Sequence, residues 1–105
     1  MKYFLFRQNN SFGAFDFNEN VGVNVVIVAA SEREAIEKAE EVGCYWNGVA
    51  DGYDCECCGD RWIPVPMEVT LDEIEGQFTI VPQENCDDMI IHFPDGKKVK
   101  LYERV

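Results

Sequence analysis

The run Asp54-Cys55-Glu56-Cys57-Cys58-Gly59-Asp60-Arg61-Trp62 gathers three thiols, three carboxylates and a guanidinium. Cys55 and Cys58 stand at the two-residue gap of a zinc knuckle. Gly59 behind them permits the tight backbone that aims amide N–H groups at thiolate sulfur. This is half of a tetrahedral site, because structural zinc takes four ligands, usually as two pairs. The rest of the chain offers only Cys44, Cys86 and His92, singly and with no second C-x2-C pair. Cys55, Cys57 and Cys58 are therefore the candidate metal ligands, and one structural zinc is the candidate cofactor. Two other chemistries stand beside it. Reduced cysteines can serve as small hydrophobes beneath an aromatic loop. A redox thiol is the third reading: Arg61 would favour a thiolate there, whereas Asp54, Glu56 and Asp60 would oppose it.

The same segment is the candidate binding surface. Trp46, Tyr53 and Trp62 are the residue types that dominate interface hot spots, and Asp54, Glu56 and Asp60 could steer onto a basic partner. Arg61 beside Trp62 could clamp an anion. His92, the only histidine, lies between Ile91 and Phe93 in an apolar run and reads as a sheet-face residue rather than a catalytic base. No phosphate-binding glycine loop, nucleophile elbow or H-E-x-x-H pattern occurs. A non-enzymatic role is expected.

Charge narrows the partners. Twenty acidic residues against nine basic ones give a formal net charge of −11. Residues 44–93 carry eleven carboxylates and Arg61 as their sole cation. Such a surface repels a phosphate backbone, so direct DNA or RNA binding is not expected. Lys2 and Arg7 bracket an apolar run too short for a signal-peptide core or a membrane span. Five cysteines, three of them within four residues, cannot staple a secreted scaffold. Reduced thiols in a cytoplasm are the expectation.

A chain of 105 residues has room for one hydrophobic core, so residues 1–105 read as one domain. Tyr3-Phe4-Leu5-Phe6 is a short aromatic strand. Phe15 and Phe17, alternating with Asp16 and Asn18, suggest a second strand in a hairpin with it. Val23 to Ala30 is β-branched and almost wholly apolar, as a central strand should be. Ser31-Glu32-Arg33-Glu34 is a capping box that opens a helix, which Gly43 closes. From Cys44 to Pro66 periodicity is lost, and Asn47-Gly48, Asp51-Gly52, Pro64 and Pro66 mark a long irregular loop. Thr70 to Glu73 repeats the capping box and predicts at most a short turn before Gly76. Gln77 to Val81 reads as a strand. Met89–Phe93 and Lys98–Tyr102, joined through Asp95-Gly96, form a hairpin. Lysines alternating along the last strand suit a sheet edge. The expected fold is α+β: a mixed, mainly antiparallel sheet, one helix packed on it, and a long cysteine-containing loop.

Phe6-Arg7-Gln8-Asn9-Asn10-Ser11 and Gly13, the helix around Glu34-Ala35, and Asn47-Gly48-Val49 leading into the Asp54–Trp62 block together resemble a family of small bacteriophage proteins. The likeness covers roughly the first 62 residues. It carries no assigned activity and no residue roles, and it implies a phage gene expressed in a bacterial cytoplasm. The resulting expectation is a small acidic interaction protein, an inhibitor of a host protein such as a defence factor. A different class also remains open: a sponge for a small nucleotide signal, built from Arg61, Trp62, Trp46, Arg7 and Asn9.

Overall fold

A computed structural model describes residues 1–9, 15, 18–80 and 89–103. Its elements are β1 (Lys2–Arg7), β2 (Asn24–Ala29), α1 (Glu32–Val42), β3 (Met67–Val69), α2 (Leu71–Gln77), β4 (Phe78–Ile80), β5 (Met89–His92) and β6 (Lys98–Glu103). The strands form one sheet in the order β3-β1-β2-β5-β6-β4. Among the described residues only β2 and β5 run parallel, and every other pair is antiparallel. The α+β class and the mixed, mainly antiparallel sheet are as expected.

The period-2 alternation of the strands sorts the apolar side chains onto two faces. Phe4, Phe6, Val25, Ile27 and Ala29 look toward α1, where Ala35 and Ala39 are fully buried and let the helix lie close. Val26, Val28, Met89, Ile91 and Leu101 form a second core on the opposite face, under Ile74 of α2. Every residue of β2 is buried, which explains the unbroken apolar run from Val25 to Ala29.

Both helix starts follow from side-chain capping. Ser31 Oγ accepts the Glu34 N–H at 3.3 Å, but the Glu34 carboxylate reaches the N–H of Ala30, one residue earlier than a reciprocal box would. At Thr70 the box is complete: Thr70 Oγ1 accepts the Glu73 N–H and Glu73 Oε1 accepts the Thr70 N–H, each at 3.2 Å. That reciprocity sustains seven helical residues, past Gly76, where only a turn was expected.

One further expectation changes, and one strand is new. The last strand is not an edge, because β6 lies between β5 and β4, and the edges are β3 and β4. Strand β3 was not legible, since its three residues follow Pro64 and Pro66 and are too few to show alternation. The partners of β1 are β2 and β3; the hairpin strand expected around Phe15 and Phe17 falls largely outside the described residues.

Candidate functional site

Gly43, at φ 130°, ends α1 and turns the chain inward, so that Cys44 enters the core with its N–H on Ala39 O at 2.9 Å. Tyr45 and Trp46 follow half-buried. The Trp46 ring lies 5.8 Å from that of Phe6, and its indole N–H donates to Glu40 at 2.9 Å. Asn47 takes a left-handed φ of 59°, and Gly48 O then accepts the N–H groups of Tyr53 and Asp54 at 2.8 and 3.1 Å. The loop is a set of closed turns.

Its centre is the carboxylate of Asp54, which is 5 % exposed. Oδ1 accepts the Tyr45 hydroxyl and Oδ2 accepts the backbone N–H of Arg61, both at 2.8 Å. Arg61 Nε lies 3.7 Å from Oδ1. The Arg61 guanidinium continues inward, donating through Nη1 to Gln8 Oε1 at 2.6 Å, while Gln8 Nε2 donates to Gly22 O at 2.9 Å. Asn9 adds two ties at the end of β1, its N–H to Arg61 O at 2.8 Å and its side-chain amide to Cys58 O. Asp60 Oδ1 accepts the Val49 N–H at 2.9 Å. Trp62, 1 % exposed, closes the loop by entering the α1-side core.

The structure therefore divides the expected binding residues. Asp54, Arg61 and Trp62 lie inside and form the frame; Trp46 and Asp60 are half-buried; Tyr53 and Glu56 face solvent. Arg61 is turned toward Gln8 and Asp54 rather than outward, because a buried guanidinium needs a carboxylate and acceptors around it. Residues 44–66 show no period, so nothing in the sequence distinguishes an inward aspartate from an outward one.

Asn47-Gly48 is a turn signal in the sequence, and in the structure close approach requires the glycine. A Cβ there would stand 1.7 Å from Asp54 Oδ2 and 2.9 Å from Tyr45 Cε2. Gly48→Ala should displace the carboxylate and destabilise the domain by about 1–3 kcal/mol, as overpacking does. Chemical denaturation of the two proteins measures it, and unchanged stability would refute the close approach.

The three cysteines of the run converge at the rim of this frame. Cys57 is exposed and Cys55 and Cys58 are half-buried, and all three sulfurs lie within 4.8 Å of one another. The Sγ atoms of Cys55 and Cys57 are 2.8 Å apart, and those of Cys57 and Cys58 are 3.9 Å apart. Cys55 O accepts the N–H groups of Cys58 and Gly59 at 3.2 and 3.0 Å, and Gly59 takes φ 86°. The Cys57 thiol and the backbone amides of Cys57 and Cys58 donate toward Cys55 sulfur and bring its thiol down to about 7. Donation to Cys55 raises the Cys57 thiol to about 11. Three sulfurs gathered within 4.8 Å of one another on a tight turn that ends in a left-handed glycine fit a thiophilic ion.

The expected fourth ligands separate from this cluster. Cys44 is in the core, its thiol pushed up to about 12 by burial. His92 is buried with Nε2 2.7 Å from Asn20 O; burial lowers its pKa, against the opposing pull of that hydrogen bond. Cys86 lies outside the described residues. Among those residues, no helix is long and apolar enough to cross a membrane.

Fold and site together define a small α+β domain that presents a surface cysteine cluster on a loop braced by a buried aspartate–arginine pair. Residues 1–104 match the family described as a domain of unknown function, DUF7296, and the chain belongs to that family. No curated protein and no solved structure matches it.

Proposed function

We propose that this chain is a small acidic interaction protein that docks through an apolar stripe rimmed with carboxylates. The observation that carries the reading is Ile63, Val65 and Met67, which occur at every second residue and are 53 %, 69 % and 65 % exposed. Leu71 adds to them at 42 %. The exposed carboxylates Asp72, Glu73 and Glu75 follow Leu71 closely in the chain. Aliphatic residues left together in water by a fold that buries so many others mark a contact surface. Pro64 and Pro66 withhold N–H groups along this stretch, so the contact is made by side chains rather than by strand addition. The matching occupant is a protein face with an apolar centre and a basic rim. In the phage setting that the bacteriophage resemblance implies, it is a cytoplasmic host protein, which the chain inhibits by covering that face.

The test uses the partner recovered with the full chain from bacterial lysate. Reversing Asp72, Glu73 and Glu75 to lysine should slow association on the order of tenfold at low salt, with the difference shrinking as salt rises. Serine at Ile63, Val65 and Met67 should speed dissociation. Association indifferent both to salt and to these changes would sink the reading.

The sulfur cluster favours a second reading, in which the loop carries one zinc ion. No comparable observation favours the nucleotide sponge, whose proposed clamp Arg61 is occupied inside the fold.

A further inference from the structure

We propose that Cys55, Cys57 and Cys58 bind one thiophilic metal ion through three thiolates and leave its fourth position facing solvent, open to an imidazole nitrogen from a partner protein. The proposal rests on the metal reading of the cluster and is independent of the apolar stripe. Three sulfurs within 4.8 Å of one another can share an ion held at about 2.3 Å from each once the Cys55–Cys57 pair, 2.8 Å apart, opens to admit it. Their exposure places that ion at the surface. Among the described residues, four donors that could complete the set are held elsewhere. Cys44 is in the core, His92 is bonded to Asn20 O, the Asp54 carboxylate holds Tyr45 and Arg61, and Asp60 Oδ1 holds Val49 N–H.

The loop does not need the ion in order to fold. Gly48 O, the Asp54 carboxylate and Asn9 already perform the cross-linking that structural zinc performs in domains without a core. An ion here therefore has a role other than bracing. On binding a divalent ion the three thiols give their protons to solvent, leaving a complex of net charge −1. In the chain, Glu56 lies between two of the three ligands and Asp60 two residues beyond the third. A fourth thiolate would carry the complex to −2 in this acidic stretch, whereas an imidazole adds no charge. The Cys3His donor set that results is a common zinc environment.

Titrating the full reduced chain with Co(II) alone should load one ion per chain and give sulfur-to-cobalt charge-transfer absorption. Serine at Cys55, Cys57 or Cys58 should each weaken binding at least tenfold, and Cys86→Ser should leave it unchanged. Added imidazole should shift the cobalt d–d bands saturably and more readily than a small thiol does. X-ray absorption of the zinc form should show three sulfurs and one lighter donor, and chelation should leave the circular dichroism and melting temperature unchanged. Four sulfurs, one of them lost in Cys86→Ser, or d–d bands indifferent to imidazole, would overturn the open position while leaving the metal reading standing. Absence of stoichiometric Co(II) binding would remove both.

Discussion

Asp54→Ala should cost about 3–5 kcal/mol of stability, because it strands a buried guanidinium that its carboxylate now compensates. The Asp54 and Arg61 side chains are 0 % and 7 % exposed. The Tyr45 hydroxyl and the Arg61 N–H would lose their acceptor as well. Asp54→Asn keeps the volume but not the charge, and its NH2 would confront donors that now meet an oxygen, so it should cost nearly as much. Adding Arg61→Met to Asp54→Asn should recover part of the loss, since the charge left without its counterpart is removed along with its solvation demand. Urea unfolding of the two single variants and the double variant reads the coupling directly. The variant loop should also show faster amide exchange at residues 48–61 and faster thiol modification at Cys55, Cys57 and Cys58. Additive losses, or an Asp54→Ala protein as stable as the parent, would mean that the pair does not hold the loop.

Trp62→Ala should be comparably severe, at about 3–5 kcal/mol, by removing the largest fully buried side chain. The indole packs in the same core as Phe4, Phe6, Val21 and Cys44, and it anchors the end of the loop next to Arg61. For a domain whose whole stability is on the order of 5–15 kcal/mol, such a loss brings unfolding near working temperature. Thermal melts followed by circular dichroism should show a fall of at least about 12 °C, taking roughly 4 °C per kcal/mol at this size. Trp62→Phe should fall less, since it keeps an aromatic body in the pocket. A melting temperature unchanged by Trp62→Ala would return this residue to the surface role first expected of it.

These two residues show where sequence reading stops. Trp62 and Asp54 lie in a block whose composition is that of an interaction surface, with aromatics and carboxylates side by side. In a strand or helix the period of 2 or 3.6 tells inside from outside. Between Cys44 and Pro66 there is no period, and each direction is set by partners far along the chain. Arg61 turns inward because Gln8, 53 residues away, accepts from it. Gly48 is indispensable because Asp54 folds back over it, which a turn-forming Asn-Gly pair does not announce.

The elements were legible for the opposite reason. The unbroken apolar run of β2, the Ser31 capping box with Gly43 at the far end, and the Asp95-Gly96 hairpin each depend on neighbours within a few residues. Those local signals determined by themselves the α+β class, the central strand, the main helix and the position of the cysteine loop. Tertiary structure alone decided that β3 completes one edge, that the lysine-bearing β6 lies inside the sheet, and that Asp54, Arg61 and Trp62 are frame rather than surface. It also decided that Cys44 and His92 are held apart from the Cys55–Cys58 cluster. Strand order, burial within an aperiodic loop and the meeting of distant ligands are all set by long-range packing, whose free energy belongs to pairs of residues that no local window contains.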